Sequence, residues 1–97
     1  MHVIKKGTLT SFGREHPKAY KPLMAWYAEA SAAKWKSSAE IKRKYREASI
    51  LNSERVVFDI GGNKYRIVAR INYRSETIFI HFVGTHAEYD KINVETI

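Results

Sequence analysis

Two tight turns constrain the second half of this chain. Gly61-Gly62-Asn63 separates the run Arg55-Val56-Val57-Phe58-Asp59-Ile60 from the run Lys64 to Tyr73. Arg74-Ser75-Glu76 then separates that run from Thr77 to Val83. All three runs are rich in β-branched and aromatic residues, the side chains that suit a pleated surface. Glycine and asparagine adopt positive φ cheaply. Connections this short reverse the chain rather than cross over, so the three runs form an antiparallel meander. A glycine pair also invites a phosphate-loop reading, but a hairpin turn explains Gly61-Gly62-Asn63 better.

Alternation along the middle run assigns its two faces. Tyr65, Ile67, Ala69, Ile71 and Tyr73 fall on one side, which is the expected core face. Lys64, Arg66, Val68, Arg70 and Asn72 fall on the other. That second side carries three cations on what reads as an open sheet face.

The first half reads as helical. Val3 and Ile4 suit a short opening strand. Leu9, Phe12 and His16 share one face of a weak helix over Thr8 to His16, in which Gly13 costs about 1 kcal/mol relative to alanine. Pro17 ends it or starts a turn. Tyr20, Leu23, Met24, Tyr27, Ala30 and Lys34 recur at helical spacing and predict a helix over about residues 19–34. Ser37-Ser38-Ala39-Glu40 has the form of a capping box and opens a short basic helix over Ile41 to Arg46. Residues 47–53 read as a loop. The expectation is an α+β fold in a single domain spanning 1–97: helices packed on a small, mainly antiparallel sheet, with a short helix at the end.

Charge points to the partner. The chain of 97 residues carries 17 Lys and Arg against 10 Asp and Glu, a formal net charge of +7. Nucleic acid, an acidic protein segment or an anionic membrane surface would match it. No apolar run is long enough to span a bilayer, and Lys5-Lys6 is not followed by the apolar stretch of a signal peptide. There is no cysteine, so disulfides, thiolate metal sites and thiol catalysis are excluded. These features fit the cytoplasm.

The densest chemistry lies in Gly84-Thr85-His86-Ala87-Glu88-Tyr89-Asp90-Lys91-Ile92. Thr85 to Glu88 is a second capping box and predicts a short helix. His86 and Tyr89 would share a face of that helix. Asp90, four residues on, is placed to hold the imidazole in one tautomer. A helix N-terminus disfavours an imidazolium, which keeps His86 able to accept a proton. Read alone, His86 is equally a surface histidine and Arg66 a solvated strand arginine. Read together, an imidazole and a guanidinium are what phosphodiester cleavage needs: a proton carrier and a fork for the charged phosphate. His2 is terminal, His16 ends a helix, and His81 falls on the open sheet face. No pair of histidines has i,i+4 spacing, so no metal or other cofactor is expected. Lys42-Arg43-Lys44 with Arg46 reads as a solvated helix face.

Two stretches together resemble the HigB-type toxins of bacterial type II toxin–antitoxin modules, within the RelE-like superfamily of mRNA-cleaving toxins. They are Val57-Phe58-Asp59-Ile60-Gly61-Gly62-Asn63-Lys64-Tyr65-Arg66-Ile67-Val68-Ala69 and Phe82-Val83-Gly84-Thr85-His86-Ala87-Glu88-Tyr89-Asp90-Lys91-Ile92. The resemblance implies a microbial ribonuclease-like fold and a metal-independent endoribonuclease that cuts translated mRNA on the ribosome. It implies products with 2′,3′-cyclic phosphate and 5′-hydroxyl ends. Arg66, His86 and Tyr89 take the catalytic positions, with His86 as acid or base and Tyr89 as proton donor or orienting group. Lys64 stands where related toxins often carry a cation; from the residues themselves, Asp90 is expected to orient His86, and Lys64, Arg70 and Lys91 to add phosphate affinity. The implied partner is a HigA-like helix-turn-helix antitoxin. Two other readings stay open: a toxin of the same fold that poisons DNA gyrase, and a non-enzymatic RNA- or ribosome-binding module.

A chain this basic should meet its antitoxin through an acidic surface. Association should be fast at low salt and slow markedly as ionic strength rises. Stopped-flow rates that do not change with salt would contradict that.

Overall fold

The turn residues adopt the left-handed backbone that the hairpin requires. φ is 64° at Gly61, 64° at Gly62 and 77° at Asn63. The computed structural model describes residues 1–97. In chain order the elements are β1 (His2–Ile4), α1 (Lys6–Glu15), α2 (Pro17–Ala32), α3 (Ser38–Lys44), β2 (Ser49–Ile50), β3 (Arg55–Ile60), β4 (Tyr65–Asn72), β5 (Thr77–Thr85) and α4 (His86–Tyr89). The strands form one sheet in the order β1-β5-β4-β3-β2. Only β1 runs parallel to its neighbour β5; the other pairings are antiparallel. The fold is α+β, with helices on the sheet and a single helical turn after β5.

Local departures from expectation have local causes. α2 starts at Pro17 rather than near residue 19, because proline at the first helical position is pre-set for helical φ and its missing N–H is not needed there. Ser37 caps α3 without a side-chain hydrogen bond. Its main-chain carbonyl takes the Glu40 N–H at 3.2 Å, and the Glu40 carboxylate reaches back to the Lys36 N–H, also at 3.2 Å. The expected loop at 47–53 contains β2, whose two residues pair with Val56 and Val57. A strand this short has too few residues to show alternation.

The helix-facing side of the sheet is the main core. Tyr65, Ile67, Ala69 and Ile71 of β4 lie there, as alternation predicts, with Leu9 of α1 and Leu23, Trp26 and Ala30 of α2. Phe58 of β3 is fully buried at its centre. Trp26, Trp35 and Tyr45 surround it with ring centroids 5.1, 6.2 and 5.2 Å away. No helix is long and apolar enough to cross a membrane.

The other face of the sheet differs from the open, cationic surface expected. Val57 and Val68 are as buried as the core, at 1% and 0% exposure, yet neither belongs to the helix-side cluster. The residues after α4 fold back across this face. Arg55 Nη1 donates to the Val94 carbonyl at 3.0 Å across 39 residues of sequence, and Ile92, Val94 and Ile97 are half-buried. Arg66 is buried too, at 7% exposure. Of the three cations only Lys64 is exposed, in the turn before β4, while Arg70 is half-buried.

Strand pairing arranges this outer face in three rows. Asp59, Arg66 and Gly84 form the first; Val57, Val68 and Phe82 the second; Arg55, Arg70 and Phe79 the third. A bulge between Val68 and Ala69 leaves His81 as the extra residue of β5, which keeps Phe79 and Phe82 on the same face although they are three apart. Gly84 leaves space opposite Arg66. A Cβ at Gly84 would run into the Phe82 ring and come within 3.1 Å of Glu88 Oε1. Gly84→Ala should therefore destabilise the protein by about 1–3 kcal/mol, the usual cost of overpacking. Urea denaturation measures this, and an unchanged midpoint would mean the Phe82 ring moves aside freely.

Candidate active site

The site is assembled where β5 ends and α4 begins. Thr85 Oγ1 accepts the Glu88 N–H at 3.1 Å, and Glu88 Oε1 accepts the Thr85 N–H at 2.8 Å. Both halves of the capping box are present. The bond from the Thr85 backbone holds the Glu88 carboxyl below the usual carboxylate range, with the Thr85 hydroxyl adding to it. The turn is then tied to β4, because the His86 N–H donates to the Lys64 carbonyl at 3.0 Å. Thr85, Glu88 and the Lys64 main chain thus fix where His86 stands.

His86 Nδ1 lies 2.9 Å from Asp90 Oδ2, and the two side chains are 50% and 59% exposed. With Nδ1 donating to Asp90, Nε2 remains to accept or deliver a proton in solvent-accessible space. Tyr89, half-buried on the same turn, packs beside Arg66, whose Cζ is 5.7 Å from the ring centroid. That is within cation–π range.

Arg66 is held from three sides. Nε pairs with Asp59 Oδ1 at 3.1 Å. Nη1 donates to the carbonyls of Asn63 at 3.0 Å and Tyr65 at 3.2 Å. A guanidinium has five N–H donors, and the two on Nη2 have no protein partner. The fork is rigid and still has a free edge for a phosphate oxygen.

The structure therefore gathers Arg66, His86, Tyr89 and Asp90 at one end of β4 and β5. Lys64 and Lys91 flank them, both exposed. Arg70 is not part of the group: it lies four residues along β4, about 13 Å away at strand rise. No three His, Cys, Asp or Glu side chains converge as metal ligands do.

Two contributors escaped sequence reasoning. Asp59 is the ion-pair partner of Arg66, and its signal was a lone carboxylate in the apolar run Val56 to Ile60, which requires a partner if buried. His16 ends α1 and caps α2, as its position suggests, but it also reaches toward the site. Its ring stacks on Phe12 at 4.2 Å, and it lies near enough to Glu88 to be a minor cause of that carboxyl's lowered pKa. No spacing rule links residue 16 to residue 88.

Comparison with known proteins agrees in kind. A family model described as HigB_toxin, RelE-like toxic component of a toxin-antitoxin system, matches residues 19–92. The mRNA interferase HigB of Escherichia coli O6:H1 (strain CFT073) is 27% identical over 94 residues, covering 95% of this chain and 91% of its own length. The mRNA interferase toxin HigB of Escherichia coli K12 is 27% identical over 92 residues, covering 93% of this chain and 88% of its own. The mRNA interferase HigB of Shigella flexneri matches to the same extent.

Removing Asp59 leaves a buried guanidinium without its counter-charge. Asp59→Ala should cost about 3 kcal/mol, the lower end for a broken buried pair because Asp59 retains some exposure. Chemical denaturation reads this directly, and a loss below about 0.5 kcal/mol would class the pair with weak surface bridges.

Proposed function

The chain belongs to the HigB family of RelE-like toxins of toxin–antitoxin systems, and from that premise we propose that it is an endoribonuclease that cuts mRNA on the ribosome. The observation that carries this reading is the rigid Arg66 fork, its Nη2 edge free, grouped with the His86–Asp90 pair and Tyr89. The relatives described as mRNA interferases support it. So does a net charge of +7, which suits a polyanionic target.

The chemistry needs only side chains and water. The RNA 2′-oxygen attacks the adjacent phosphorus, and the phosphorus–O5′ bond breaks. A 2′,3′-cyclic phosphate and a 5′-hydroxyl result. His86 Nε2 either takes the 2′-hydroxyl proton while Tyr89 or water protonates the departing 5′-oxygen, or protonates the 5′-oxygen while water takes the 2′-hydroxyl proton; Asp90 steadies the imidazole when it is charged. Arg66 meets the negative charge that builds on the phosphorane, and its fixed geometry avoids reorganisation during the step. Tyr89 supplies a hydroxyl donor or orients the guanidinium, beside which its ring packs. Lys64 and Lys91 raise affinity for the flanking phosphates. The partner that silences this activity is a HigA-like helix-turn-helix antitoxin, and action on translating ribosomes places the toxin in the cytoplasm.

Arg66→Ala and His86→Gln, expressed separately in bacterial cells, should each relieve growth arrest. Mapped 5′ transcript ends should show cleavage reduced by at least about a hundredfold. Arrest and cleavage at parental levels by both folded variants would remove these residues from the site. Growth arrest by the parent with DNA breaks and no new transcript ends would favour a gyrase-poisoning toxin.

A further inference from the structure

The far end of the outer sheet face holds positive charge that the proposed cleavage site does not use. Arg70 lies in the third row, its Cζ 4.3 Å from the Phe79 ring centroid, so its guanidinium is held against an aromatic surface. Beside it opens a surface cleft of about 330 Å³ whose lining includes Lys5, Thr8, Arg70 and His81 beside the apolar Ile4, Phe79 and Ile80. Arg55 is the cross-strand partner of Arg70. None of Lys5, Arg55 and Arg70 forms a salt bridge; the ion pairs in the structure are Arg66–Asp59 and His86–Asp90. The cleft thus gathers Lys5 and Arg70, with Arg55 on the neighbouring strand, and no salt bridge answers their charge; an anion there would be attracted.

His81 lines the same cleft. Burial is the first cause holding its pKa below the ordinary histidine value, and the charges of Arg55 and Arg70 follow, with a hydrogen bond to the Ile97 backbone acting in the opposite sense. The bulge in β5 is what places this imidazole among the cations. Bulges commonly re-aim a side chain next to a functional site.

We propose that this cleft binds a backbone phosphate of the RNA strand, away from the scissile one, through Lys5, Arg70 and the Thr8 hydroxyl. The inference rests on the RNA-cleavage reading of the previous subsection. RNA is favoured over an acidic protein segment because Arg70 stands on the same strand and the same face as Arg66, about 13 Å along it. A strand seated on Arg66 and continuing over the covered Val57–Val68 row meets the cleft next. The cleft thereby fixes the register of the substrate without reading its bases.

The test uses a short single-stranded RNA with 2′-O-methyl sugars, which binds without being cut. Its affinity for the full chain is measured by fluorescence anisotropy over a range of salt. For Arg70→Gln and for Lys5→Gln, Kd should rise about tenfold, as expected when a charge-assisted hydrogen bond is removed. The slope of log affinity against log salt should shrink by about 0.7 for each phosphate that is no longer neutralised. Arg70→Lys should restore most of the slope, which a merely structural role for Arg70 would not predict. In the parent, the RNA should shift the His81 ring resonances.

If the parent cleaves mRNA but both glutamine variants bind with parental Kd and slope, the cleft proposal is overturned and the cleavage reading stands. If RNA binding depends on the cleft but no RNA is ever cut, the cleavage reading fails and the cleft remains an RNA site. Weakened antitoxin binding with unaltered RNA binding would also overturn the proposal, in favour of an acidic protein partner.

Discussion

A guanidinium buried on the outer face of a small sheet is unfavourable unless its charge is answered, and at Arg66 the answer is Asp59 at 3.1 Å. Much of the candidate site follows from that pair. Because Asp59 and two carbonyls take one side of the fork, its orientation is set before any substrate arrives. Because Gly84 stands opposite with no side chain, the Phe82 ring lies over that position instead. Because Tyr89 packs against the guanidinium, the turn that carries His86 is drawn to the same place.

The second constraint is the capping box. α4 has only four residues, and a helix so short has little stability of its own. The reciprocal Thr85–Glu88 bonds and the His86–Lys64 bond supply what propensity lacks. Structure and chemistry divide cleanly along this stretch. Thr85 and Glu88 shape it, while His86, Tyr89 and Asp90 present groups that can move or orient a proton. The cluster makes sense as a nuclease site only with Arg66, which comes from the middle strand.

Much of this was legible in the residues because it is local or periodic. Alternation assigned Tyr65, Ile67, Ala69 and Ile71 to the core, and they are there. The glycine turn and the second capping box were readable from spacing alone, as was the i,i+4 relation of His86 and Asp90. What was missed depends on contacts between distant segments. The segment around Val94 covers the outer face through a bond spanning 39 residues, so the face expected to be open is partly closed. The bulge at His81 breaks the two-residue period that alternation assumes. Asp59 and His16 enter the site from elements that no motif connects to it. The result is a smaller candidate centre than the basic strand suggested, with Arg70 separated from it.

Arg66 either acts on RNA or merely fills the sheet face with its partner, and the two roles are separable. Replacing both members of the pair, as Asp59→Leu with Arg66→Met, removes the ion pair without leaving an orphaned charge, and such replacements are commonly neutral for stability. Cleavage of mRNA on programmed ribosomes by this double variant, measured beside its denaturation midpoint, is the most direct test. The prediction is a midpoint near the parent's with cleavage reduced by at least about a hundredfold. A folded double variant that cuts mRNA at the parental rate would contradict it.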